Sequence, residues 1–206
     1  MYILNYKKTV TVFIFSLSLL WYAILCYPKI VSIDLASKVV RLHVRANSDN
    51  PQDQKLKLKV RDSIIDYLSC NLQADNQQEA ICYIHDNMDT IIATAQKVVL
   101  NNGYNYPVNA VLDVTQFPDK EYGSMTFPAG EYCSLNVNIG SGQGHNWWCV
   151  LYPPLCLIDD VTAQFPEDSE NEIQEAVSEN EYKYITQPVF EFKYFTIFND
   201  ILECWQ

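Results

Sequence analysis

Three hydrophobic patterns succeed one another along the chain. The first is an uncharged run from Thr9 to Cys26, TVTVFIFSLSLLWYAILC, which follows Lys7 and Lys8 and carries no polar stripe. At about 1.5 Å per residue the run gives roughly 27 Å of helix, against a hydrocarbon core of about 30 Å. This predicts a signal peptide or signal anchor rather than a buried core helix. The lysines ahead of the run keep the N-terminus inside and send the remainder outward, weakly opposed by Lys29, Lys38 and Arg41 beyond it. Bulky Ile24 and Leu25 supply neither a small-x-small cleavage site nor a lipoprotein site at Cys26, which favours an uncleaved anchor or inefficient cleavage.

The second pattern has a period of two. Val40, Leu42, Val44 and Ala46 alternate with polar neighbours and predict a half-buried strand, stopped by Asn47-Ser48-Asp49-Asn50-Pro51. Further candidate strands are Val108 to Thr115, a piece around Tyr122 to Phe127, Cys133 to Ile139 and Trp147 to Leu151. Their short connections imply antiparallel pairing.

The third pattern is helical. Leu56, Val60, Ile64 and Leu68 repeat every fourth position, after Asp49 or Asn50 as cap, Pro51 in the first turn and Asp53 near the positive end of the dipole. A second helix is predicted from about Gln77 to Leu100 on the stripe Ile81, Ile84, Met88, Ile91, Ile92, Ala95, Val98 and Val99, with Asn102-Gly103 as its stop. Glu167 to Glu181 holds seven acids and no base, as a solvated loop or a marginal helix would. After Pro188, the spacing of Tyr194, Phe198, Ile201, Leu202 and Trp205 predicts a C-terminal amphipathic helix. The reading is therefore an α+β single domain: a mainly antiparallel sheet covered by two or three amphipathic helices, preceded by an N-terminal hydrophobic helix. In domain terms, residues 1–28 are signal peptide or anchor, 29–38 a tether and 39–206 the globular domain, with an acidic loop at about 167–181.

Composition then narrows the function. The 206 residues carry Lys+Arg 14 against Asp+Glu 25, a net charge of −11; such a surface repels phosphate, so no nucleic-acid partner is expected. Of the Cys 7, Cys26 lies in the hydrophobic run, and outside a membrane the others are free to form disulfides. Cys149 with Cys156 is the best candidate pair, because Pro153-Pro154 between them turns the chain back. The remaining four read equally well as small apolar residues.

Reactive constellations are missing. His43, His85 and His145 have no metal-ligand spacing, so no metal is expected. Gly140-Ser141-Gly142-Gln143-Gly144 lacks the P-loop lysine and precedes a strand, so it reads as a hairpin connection in which glycine permits positive φ. Neither catalytic residues nor a cofactor follow from the sequence. Alternation along a strand places Trp147 and Trp148 on opposite faces, one toward the core and one toward solvent or a partner; the competing reading buries both rings under the helices.

Two blocks, RLHVRANSDNPQDQKLKLKVRD from Arg41 to Asp62 and NWWCVLYPPLC from Asn146 to Cys156, closely resemble signature segments of the stage II sporulation protein R family. YGSMTFPAGEY, Tyr122 to Tyr132, is similar to the family's connecting segment. The resemblance implies a protein exported across the forespore membrane into the intermembrane space, either secreted or anchored with its domain outside. There it triggers a membrane-embedded aspartic protease to process the sigma-E precursor, without catalysis of its own. Membrane contact is expected through the N-terminal segment where that segment stays uncleaved. The expected partner surface joins the turn Asn47, Ser48 and Asp49 to Asn146, Trp147 and Trp148. Two rival readings are an envelope hydrolase or thiol enzyme using Cys149 or Cys133 with a histidine, and a cell-wall glycan binder that stacks sugars on tryptophan.

Overall fold

The computed structural model describes residues 2–154, 156 and 167–186, with side chains described at 10–23, 31–154, 156 and 171–186. The chain forms two compact units, Met1–Asp34 and Leu35–Gln206. The first consists of helix α1, Tyr2–Ala36, which continues into the start of the second. Val12, Phe13, Ile14 and Phe15 are among its exposed apolar side chains. Among the described residues no helix is long and apolar enough to cross a membrane.

The second unit is α+β. Strand β1 is Val40–Arg45, followed by helices α2 (Pro51–Asn71), α3 (Gln77–Asp86) and α4 (Met88–Asn101). Then come β2 (Val108–Phe117), β3 (Lys120–Tyr122), β4 (Met125–Phe127), β5 (Gly130–Ile139) and β6 (Asn146–Tyr152), and finally helices α5 (Glu167–Ala176) and α6 (Glu179–Thr186). The main sheet has the order β2-β5-β1-β6, and β3 and β4 form a separate two-stranded hairpin. Most pairs are antiparallel, but β1 runs parallel to β5. Short connections predict antiparallel neighbours only for strands adjacent in sequence; β1 reaches β5 through three helices and the strands β2, β3 and β4, a connection long enough for a parallel partner.

Strand β1 is buried on both faces rather than half-buried. Leu42 and Val44 face the helices, and Arg41 and His43, on the opposite face, are 0% and 2% exposed. The helix face is identified by Trp147, paired in register with Val44 and lying beneath the Arg61 guanidinium of α2 at 4.1 Å. Leu56, Val60, Ile64 and Leu68 of α2 are all buried there, as are Ile91, Ala95 and Val99 of α4. The opposite face is covered at one end by the β3–β4 hairpin, whose Tyr122 and Phe127 enclose Arg41 together with Phe117 and Tyr132.

The predicted long second helix is broken at Asn87. The Asn87 side-chain amide donates to the Tyr83 carbonyl, 2.9 Å, as does its backbone N–H, 3.0 Å. Local side-chain competition of this kind interrupts helices. The acidic stretch forms α5 and the start of α6, separated at Val177 and Ser178, and α6 is held by a capping box: Ser178 N–H and Oγ donate to Glu181 Oε2, each at 2.6 Å, and Lys38 pairs with the same carboxylate. The predicted C-terminal helix after Pro188 and Cys204 lie outside the described residues.

Candidate functional site

Parallel strands leave a sheet at the same end, so the loops that follow β1 and β5 are brought together. These are residues 46–50 and 140–145. The second loop is not a hairpin, because β1 lies between β5 and β6; it crosses over the C-terminal end of β1 and is bonded to the first loop along its length. Gly144 N–H donates to the Ala46 carbonyl, 2.9 Å, and Ser141 N–H to Asn47 Oδ1, 3.0 Å. Ser141 Oγ donates to the Asn47 carbonyl. His145 meets Asp49 twice, through its backbone N–H at 2.7 Å and through Nδ1.

Asp49 and Asn50 do not cap α2 through their side chains. Asn50 holds the N-cap position without a side-chain bond, and the Asp49 carboxylate is engaged by His145. That hydrogen bonding holds the Asp49 carboxyl below its ordinary range. Asp53 in the first turn is buried and binds the loop, accepting from Ser48 Oγ at 2.6 Å and Asn47 Nδ2 at 2.9 Å. Burial opposes its ionisation, yet bonds from Ser48, Asn47 and Tyr106 outweigh that effect and keep the carboxyl below its usual range. Lys57 closes the network, donating to the His145 carbonyl at 3.0 Å and to Gln54 Oε1 at 2.7 Å. Burial, then the neighbouring Arg61, push its ammonium group below the ordinary lysine range.

Gly140 and Gly142 take φ of +60° and +62°. A Cβ at Gly140 would come within 2.3 Å of Asn47 Oδ1, so the close approach of the two loops requires glycine there.

Asn146 follows immediately, and its Oδ1 lies 2.9 Å from His43 Nε2. His43 Nδ1 lies 3.0 Å from Asn136 Oδ1, and the Asn136 amide nitrogen donates to Thr115 Oγ1 and Ser134 Oγ. Both asparagine oxygens accept from the ring when it is protonated, whereas the Arg45 Nε, 3.4 Å from Nε2, opposes that charge. Burial lowers the His43 pKa below its ordinary 6.5 more than the two asparagine bonds raise it. Trp148 stacks on the imidazole, centroids 3.6 Å apart and planes 13° apart.

Trp147 and Trp148 thus lie on opposite faces of the sheet, both half-buried. Of the six residues expected at a partner surface, Asn47, Ser48 and Asp49 form the loop network, Asn146 and Trp148 surround His43, and Trp147 faces α2. His43 and Arg41 were missed. Their alternation with Leu42 and Val44 marks a solvent face when read as sequence; Arg41 is enclosed by a hairpin eighty residues further on, and His43 is covered by Trp148 and Phe117. Arg41 donates from Nη2 to Tyr122 Oη, 2.9 Å, and its guanidinium carbon lies 4.2 Å from the Phe117 ring centroid and 4.8 Å from that of Tyr132. Among the described residues its Nε and Nη1 have no hydrogen-bond partner.

Cys149 and Cys156 form a disulfide with Cα atoms 5.4 Å apart. This removes Cys149 as a thiolate nucleophile. Cys133 is a free thiol, but burial and then Asp113 push its pKa up, away from the thiolate. No group of side chains among the described residues is placed to hold a metal ion.

The family described as stage II sporulation protein R matches residues 36–162. Stage II sporulation protein R of Bacillus subtilis (strain 168) is 35% identical over 138 residues, covering 66% of this chain. The match spans 62% of that relative's length, a little under two thirds. No solved structure matches the chain. The matched region contains β1, both loops of the network, the β3–β4 hairpin and the disulfide, and on this evidence the chain belongs to the stage II sporulation protein R family.

Proposed function

We propose that the globular unit is an exported signal of endospore formation that activates a membrane-embedded aspartic protease, so that the sigma-E precursor is processed, and that it performs no chemistry itself. In this reading residues 1–28 direct export across the forespore membrane as signal peptide or anchor, 29–38 link them to the domain, and 39–206 act in the intermembrane space. Family membership supports the class of function. The observation that carries the mechanism is the mutual bonding of the two loops at the end of the β1–β5 pair. Asn47, Ser48, Asp49, Asp53, Lys57 and His145 satisfy one another, which makes the loops a rigid presented surface rather than a set of reactive groups awaiting substrate. A rigid surface shifts a receptor's equilibrium only through its differential affinity for the active arrangement.

The test is co-expression with the protease and its substrate in a host lacking sporulation genes, with precursor processing as the readout. Replacing Trp147 or Trp148 by Ala lowers the thermal transition, because both rings pack on the core, yet each folded variant, like Asn146→Lys, is expected to reduce processing. Normal processing by all three folded variants would remove this end of the sheet from the contact.

A further inference from the structure

The opposite end of the sheet carries a second surface, which the loop network does not use. A cavity of about 820 Å³ opens between the C-terminal part of α2, the turn after it, the end of β6 and α5. Its lining combines the apolar Ile65, Leu68, Leu72, Leu151, Pro153 and Pro154 with the acidic Asp75, Glu172 and Glu175. Among the described residues no lysine or arginine lines it. Tyr152 stands in the wall, and its phenol is pushed up by burial and then by the carboxylates of Asp75, Glu79 and Glu172, so the acidic field reaches into the groove.

A groove whose described lining joins aliphatic side chains to carboxylates is complementary to a segment that presents aliphatic side chains on one side and positive charge at its margins. We propose that this groove docks a basic amphipathic segment of a partner protein, its apolar side chains over Leu68, Leu72 and Leu151 and its cationic side chains at Asp75 and Glu175. A chain with a net charge of −11 is a poor partner for an acidic groove, which argues against a second copy as the occupant. The inference goes beyond the activation reading: it concerns the other end of the sheet and holds or fails independently of which end meets the protease.

The experiment uses the full chain and two synthetic peptides of equal length, one built of leucine and lysine and the other of leucine and glutamate, with calorimetric titration and backbone amide shifts as readouts. The leucine–lysine peptide is expected to bind, to shift amides around Leu72, Asp75, Tyr152 and Ala176, and to weaken as salt is raised. The double variant Asp75→Lys with Glu175→Lys reverses two exposed charges and is expected to keep its thermal transition while losing roughly tenfold or more in affinity. Failure of the leucine–lysine peptide to bind, equal binding of both peptides, or an affinity unchanged in the double variant would each overturn the proposal. So would self-association in sedimentation that the double variant abolishes, because it would identify the occupant as a second copy.

Discussion

Gly144 is a point of close backbone approach between the two loops. Its N–H donates to the Ala46 carbonyl at 2.9 Å, and a Cβ on it would lie 2.3 Å from the Ser48 carbonyl oxygen, 2.6 Å from the Ser48 carbonyl carbon and 2.9 Å from Ala46 Cβ. The first two are backbone atoms, and their loop cannot retreat cheaply: Asn47 is held by Ser141, Ser48 by Asp53 and Asp49 by His145. Gly144→Ala must therefore open the loop contact or strain it. Loss of the backbone hydrogen bond costs about 1 kcal/mol, and forcing extra volume into a packed site costs about 1–3 kcal/mol. The expected destabilisation is the sum, about 2–4 kcal/mol. Gly103 is the control. It sits at φ +81° with nothing within 4 Å of an added Cβ, so Gly103→Ala meets only the left-handed backbone penalty of about 1–2 kcal/mol. Urea unfolding of the two variants beside the parent measures both quantities, and amide exchange at Ser141 and His145 should accelerate in Gly144→Ala alone. A Gly144→Ala protein no less stable than Gly103→Ala, with unchanged exchange at those two amides, would refute the account of the loops as a locked unit.

Two further outcomes follow from the face opposite the helices. Tyr122→Phe removes the hydroxyl that accepts from Arg41 and donates to the Trp148 carbonyl at 3.2 Å, leaving a fully buried guanidinium with less hydrogen bonding; a loss of about 1.5–3 kcal/mol is expected in urea unfolding. His43 has a folded pKa below its ordinary 6.5, so the unfolded chain takes up the proton first as pH falls. Its stabilising contribution is complete above 6.5 and is lost on acidification toward the folded pKa. Unfolding free energies measured at a series of pH values should decline in that window for the parent and decline less for His43→Gln; parallel profiles would show that His43 is not buried neutral.

The amphipathic helices and most strands were legible because their apolar positions repeat with the period of the element. Leu56, Val60, Ile64 and Leu68 can face a core only from a helix, and Leu135, Val137 and Ile139 only from a strand. The turn Asn47 to Asp49 and the glycine loop were equally visible as interruptions. Their meeting was not, because it depends on β1 being inserted between β5 and β6, a non-local pairing that leaves no local trace. The same insertion turned an expected hairpin into a crossover and an expected half-buried strand into a central one. Local pattern also misjudged the helix break at Asn87, where the side-chain amide joins the backbone N–H on the Tyr83 carbonyl inside a continuous apolar stripe.

By itself, then, the sequence determined the α+β class, the apolar face of each main helix and, through its two long blocks, the family. These are properties of short segments, whose periodicity and residue identities survive without neighbours. Only the tertiary structure decided that β1 runs parallel to β5, that Arg41 and His43 are buried, and that the Asp49 carboxylate meets His145 instead of capping its own helix. Each of those outcomes pits local preference against burial and bonding by residues far along the chain, and the distant contacts, once formed, are the stronger.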